Sequence, residues 1–224
     1  MKRVIKWLTI TCVFAIGFVN LQAQSINFKH YGIDEGLIHP SIYTINQDNN
    51  GFLWIGTGEG LCRFDGIKFS RPATKDTLVG AYTSFCFRSS NGTIWVGYDD
   101  GSVFSIENLR LKKMYRNTNA PSMITWITEL SNGTILVATQ SNGILSFTNG
   151  SQSFLKLNDS KIIYTVEEID PNRLLIGCND GLWIARKNGE LSYTYDTKIN
   201  AIPETKINCI IRKKDSKGFW IGTS

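Results

Sequence analysis

The sequence is poor in histidine, proline and methionine, with two, five and three of each among 224 residues. The two histidines, His30 and His39, are nine residues apart and neither stands four residues from a second histidine or a cysteine, so a histidine-rich metal site cannot be built from them. No Gly-x-Ser-x-Gly elbow, phosphate-binding glycine loop or loop of alternating acidic calcium ligands occurs. No pair of cysteines has zinc-knuckle spacing. Charged residues are only 19%, and the composition excludes collagen, coiled coil and disorder. What is present is 42% apolar and 12% aromatic residues with 20 glycines, which favours a turn-rich β protein over a helical one.

The formal charge of +5, from 24 basic and 19 acidic residues, invites a nucleic-acid partner until its location is read. Three of the cations are Lys2, Arg3 and Lys6, followed by a 13-residue apolar run from Trp7 to Val19 and then by Asn20, Leu21, Gln22 and Ala23. This is the layout of a secretory signal cleaved after Ala23, and the run is short of the roughly 20 residues that span a bilayer. An uncleaved anchor is the other reading. Residues 24–224 then carry 21 basic and 19 acidic side chains. The remaining basic clusters, Arg110, Lys112, Lys113 and Arg116, and Arg212, Lys213 and Lys214, are not interleaved with stacking aromatics, so no nucleic-acid partner is expected.

Export would place Cys62, Cys86, Cys178 and Cys209 in an oxidising compartment, where three pairings of two disulfides are open. Each lies in an apolar or strand-like context, and unpaired buried thiols are the preferred reading.

An internal repeat carries the strongest signal. Asn50–Thr57 reads Asn-Gly-Phe-Leu-Trp-Ile-Gly-Thr, and Asn91–Tyr98 repeats it 41 residues later. Asn132–Thr139 follows after another 41, Asn172–Gly177 after 39 or 40, and Gly218–Thr223 near the C-terminus. Each copy is preceded by an alternating run and a polar turn, as in Ile42 to Gln47 before Asp48 to Gly51, and is followed by a second tight turn and another strand. Four short strands per roughly 40 residues is the period of a β-propeller blade. The expected fold is therefore all-β, a β-propeller of four-stranded antiparallel blades with about five repeats, the last one truncated. The units lie near 26–71, 82–118, 123–157, 162–196 and 207–224. Repeated Trp54, Trp95 and Trp220 are expected to fill wedges between blades, and Gly56, Gly97 and Gly222 to mark close backbone approach.

The first unit, with Tyr31 to Leu37, Ile42 to Asp48, Gly51 to Gly60 and Leu61 to Gly66, resembles the two-component regulator propellers, the periplasmic sensor regions of bacterial hybrid histidine kinases. The resemblance implies a periplasmic sensor that takes a small-molecule or oligosaccharide ligand. It also implies attachment to the membrane only through C-terminal parts beyond Ser224, and a homodimer as a further partner arrangement of the full-length protein. The break after the fifth Trp-Ile-Gly strand is read as an N-terminal fragment, expected to self-associate, with residues 26–31 as the outer strand of a preceding blade. No enzyme activity, cofactor or metal is expected of this chain. A free-standing exported binding or scaffold propeller and, behind it, a propeller lyase or glycosidase are the alternatives. Propeller ligands sit on the face that carries the loops into the innermost strands and the turns between second and third strands. By position the candidate binding residues are His39, Tyr82, Asp99 and Asp100, chosen as aromatic, imidazole and carboxylate groups suited to sugar rings and hydroxyls.

Overall fold

The structure, a computed structural model, describes residues 28–73, 81–157, 161–189, 192–202, 205–215 and 217–224. The expected signal segment, 1–23, lies outside the described residues.

Eighteen strands and no helix are found among the described residues. The first blade is β1 (Ile42–Gln47), β2 (Leu53–Thr57), β3 (Gly60–Phe64) and β4 (Phe69–Ser70). The second is β5 (Thr83–Arg88), β6 (Ile94–Tyr98), β7 (Val103–Glu107) and β8 (Arg110–Tyr115). The third is β9 (Ile124–Glu129), β10 (Ile135–Thr139), β11 (Ile144–Thr148) and β12 (Ser151–Leu157). The fourth is β13 (Ile163–Asp170), β14 (Arg173–Cys178), β15 (Gly181–Lys187) and β16 (Ser192–Lys198), and a fifth sheet holds β17 (Ile207–Arg212) and β18 (Phe219–Thr223). Within each sheet consecutive strands pair antiparallel. The inner strands β1, β5, β9, β13 and β17 contact one another in series, as expected of propeller blades around an axis. The outermost strands β12 and β16 also meet through a short parallel pairing that joins the third and fourth blades into one sheet.

Local chemistry sets the blade. Asp48 Oδ1 accepts the N–H groups of Asn50 and Phe52, and the Gly51 N–H donates to the Asp48 carbonyl, with Gly51 at a φ of +86° that glycine adopts without strain. The same aspartate anchors the repeat's tryptophan, since Trp54 Nε1 donates to its Oδ2 at 2.8 Å. Asn91 and Asn132 accept from Thr93 and Thr134 in the corresponding turns.

A bulge near the first residues of every inner strand shifts the register against its neighbour, for example between Ile42 and Thr44 and between Thr83 and Phe85. One extra residue breaks the period of two, so the first and fourth residues of the strand come to share a face. That face meets the preceding blade. Thr83 and Cys86, Ile124 and Ile127, Ile163 and Val166, and Ile207 and Ile210 are all buried there. In the first blade the equivalent Ile42 and Ile45 are 45% and 55% exposed.

The core is a stack of layers between blades. Trp54 and Leu61 pack with Cys86, Val96 and Phe104; Trp95 and Val103 with Ile124, Ile127 and Val137; Leu136 and Ala138 with Ile163, Val166 and Ile176. Leu175 and Leu182 pack with Ile207 and Ile210. The other face of the first blade, Ile55, Cys62 and Phe64, is covered by Tyr31, Leu37 and Ile38. Phe28 to Tyr31, the described part of the segment expected to be an outer strand, forms no strand. From Tyr31 on, side chains of the chain cap the first blade.

Two expectations meet a different outcome in detail. Trp54 and Trp95 fill wedges between blades, whereas Trp220 is 66% exposed on the fifth sheet. The outer strand of the first blade is reduced to two residues. As preferred from the sequence, the four described cysteines form no disulfide with one another.

Candidate functional site

One hydrogen bond recurs in all five blades and defines a face. The backbone N–H just past the second strand donates to the carbonyl of the residue just before the inner strand. The pairs are Gly58 to Ser41, Asp99 to Tyr82, Gln140 to Met123, Asn179 to Ile162 and Ser224 to Lys206, at 2.9 to 3.3 Å. It brings the lead-in loops and the turns after the second strands together on what we call the upper face.

On this face most of the turn side chains are engaged in holding the turns. Asp99 Oδ1 accepts the Tyr82 N–H at 2.9 Å, and burial, opposed by that bond, holds its carboxyl above the ordinary value. Asp100 Oδ1 accepts the Ser102 N–H, and its other oxygen pairs with Arg116 at 3.2 Å. Asn142 donates to the Ala120 carbonyl, and Glu59 pairs with Arg71 at 3.5 Å. His39 Nδ1 accepts the Ser41 N–H at 3.1 Å, and its ring lies against Gly58, where a Cβ would sit 2.6 Å from Cε1. Of the four residues singled out in the sequence, the structure brings Tyr82 and Asp99 together. It sets Asp100 toward Arg116 and leaves His39 on the turn of the first blade.

The remaining side chains form a rim that sequence reading did not assemble. Tyr43, the second residue of β1, stacks on Tyr82, which leads into β5, with ring centroids 5.0 Å apart and planes tilted by 32°. The Tyr82 hydroxyl is directed at Met123 Sδ, which leads into β9. Tyr164, the second residue of β13, lies under Lys206, which leads into β17, with Nζ 4.2 Å from the ring centroid. The two tyrosine pairs thus occupy equivalent positions: a second inner-strand residue reaches the lead-in residue of the next blade. Behind the second pair, Lys161 Nζ stands 4.4 Å over the Trp183 ring and pairs with Asp180 at 3.0 Å. Burial pulls the Asp180 carboxyl up, but Lys161 and the Trp183 N–H outweigh it and hold the group below its ordinary value.

This rim offers stacking surfaces and amide edges, which bind flat or weakly amphipathic rings. Among the described residues no three His, Cys, Asp or Glu side chains converge as a metal site.

Comparison with known proteins places the repeat. Residues 36–59 match the profile of the two component regulator propeller family. A stretch of 59 residues is 41% identical to Histidine kinase P4 of Formosa agariphila, covering 25% of this chain and 4% of that protein. Among solved structures, the extracellular domain of a hybrid two component system from B. thetaiotaomicron aligns with a TM-score of 0.70 and 23% identity, over 88% of this chain and 29% of that one. Virginiamycin B lyase of Staphylococcus aureus aligns with a TM-score of 0.62 and 20% identity, over 81% of this chain and 62% of that one. The chain therefore spans a small part of the kinase and under a third of the two-component domain. At these identities the two structures establish the propeller fold, which lyases and sensors share. The chain carries a two-component regulator propeller repeat in its first blade, within a β-propeller fold.

Proposed function

We propose that this chain is the extracytoplasmic ligand-sensing propeller region of a two-component regulator of the hybrid histidine kinase type, and that its upper face binds a carbohydrate-like ligand. The reading takes 1–23 as a cleaved signal peptide and 24–224 as propeller, and it assigns the chain binding and no chemical step. The repeat at 36–59 and the likeness to a histidine kinase support the sensor class. The observation that carries the ligand class is the Tyr43–Tyr82 pair, half-exposed aromatic surface held at fixed tilt on a face otherwise built of amides and carboxylates. Pyranose rings present C–H faces to such surfaces and hydroxyls to the surrounding polar edges.

Titration calorimetry of the chain with a panel of neutral and acidic oligosaccharides tests this. Binding by at least one of them, weakened about tenfold or more by Tyr82→Ala without loss of thermal stability, is the expected result. No binding by any saccharide overturns the reading.

A further inference from the structure

The two equivalent pairs on the rim differ in chemistry. Between the first and second blades the repeat delivers tyrosine on tyrosine; between the fourth and fifth it delivers lysine on tyrosine. The charge bordering each pair differs in the same sense. Asp99 bonds the Tyr82 backbone and raises the cost of ionising the Tyr82 hydroxyl, second to burial, so this end of the rim carries negative potential. At the other end no described carboxylate pairs with Lys206, while Lys161, which also stands over Trp183 of the fourth blade, is paired with Asp180.

We infer that the ligand of the upper face is an anionic oligosaccharide, its acidic unit held by Lys206 over Tyr164 and its uncharged ring stacked on Tyr43 and Tyr82. This rests on the saccharide reading above and narrows it. Tyr164 and Lys206 together make a subsite for a sugar that carries a carboxylate or sulfate: the tyrosine ring holds the ammonium over its face, with Nζ 4.2 Å from the centroid, and the anion accepts from the ammonium. A charge-assisted hydrogen bond of this kind, between groups partly shielded from water, is worth about tenfold or more in affinity. Asp99 disfavours the reverse orientation, because an anion placed at Tyr82 would face its carboxylate. The cation–aromatic contact also keeps the Lys206 side chain extended along the ring before ligand arrives, which lowers the cost of ordering it.

The test is calorimetry on the full chain with matched pairs of probes: α-1,4-linked trigalacturonate against α-1,4-linked galactotriose, and trimannuronate against mannotriose. At least one uronate is expected to bind about tenfold or more tightly than its uncharged counterpart at low salt, with the advantage falling as ionic strength rises. Lys206→Gln is expected to bring that ratio close to one by weakening the uronate, and Lys206→Arg to preserve it. Neutral and acidic sugars binding equally, or a ratio unchanged by Lys206→Gln, overturns the anionic assignment and leaves the saccharide reading standing. Binding by neither class overturns both.

Discussion

Ile207, the first residue of β17, lies so close to Gly177 of β14 that a Cβ on the glycine would sit 2.6 Å from its Cγ2. The same added atom would meet Thr165 Cγ2 of the glycine's own blade at 2.6 Å. Gly56 stands in the same relation to Thr83 and Thr44, with a Cβ at 2.7 and 2.5 Å. The glycines of β2, β6 and β14 are thus slots for the β-branched side chains, Thr83, Ile124 and Ile207, that open the next inner strands. Gly177→Ala is expected to cost about 1–3 kcal/mol, read from urea unfolding, because both neighbours are stiff β-branched side chains. Gly222 faces only Cys209 Sγ at 2.7 Å, a single atom on one rotatable bond, so Gly222→Ala is expected to cost roughly half a kcal/mol or less.

The repeated tryptophan separates in the same way. Trp54 is fully buried and its N–H is satisfied by Asp48, so Trp54→Ala removes a large ring from a packed layer and is expected to cost about 3–5 kcal/mol. Trp220 holds the equivalent position but is two-thirds exposed, with Lys213 Nζ 4.4 Å from its ring centroid. Trp220→Ala is expected to cost about 0.5–1 kcal/mol, the scale of an exposed cation–aromatic contact. Equal shifts in the unfolding midpoint would show that the two positions are packed alike.

The blade was legible in the sequence because its signals are local: Asn-Gly turns, the Trp-Ile-Gly strand and a spacing near 41 residues. The rim was not. Tyr43 and Tyr164 sit inside alternating runs, where a period of two gives no reason to single out the second residue, and the bulge beside them changes which neighbours they reach. Lys206 looked like part of a connecting segment, and only the backbone bond from Ser224 reveals it as the counterpart of Tyr82. Asp99 and Asp100 were visible as turn carboxylates, but the sequence could not tell that one is committed to the Tyr82 N–H and the other to Arg116. Tyr82 could be found because it leads directly into a repeat-defined strand.

The thiols divide by burial. Cys62 is buried enough for its thiol to be pushed up to about 11, and burial raises Cys86 as well. Cys178 is buried and Cys209 only half-buried. Since the thiolate is the reactive form, iodoacetamide at pH 8 is expected to label Cys209 in the folded chain and to reach Cys62, Cys86 and Cys178 only in denaturant. Peptide mapping checks this, and a disulfide-linked peptide between any two of the four would contradict the packing described.

Glu167 in β13 lies between the third and fourth blades. Burial raises its carboxyl above the ordinary value of 4.5, opposed by the Thr128 hydroxyl, which donates to Oε1 at 3.3 Å, and by Arg212. A carboxyl raised on folding keeps its proton in the native state after the unfolded chain has lost it, so stability falls as pH rises from the ordinary value through the raised one. Below pH 4.5 the group is largely neutral in both states and its burial carries no ionic cost. Glu167→Gln keeps the shape and removes the charge. It is expected to melt a few degrees above the wild type near neutral pH, with the gap closing as the pH is lowered toward the ordinary carboxyl range. Thermal melts at a series of pH values read the difference directly, and a gap independent of pH would place the effect in packing and not in ionisation.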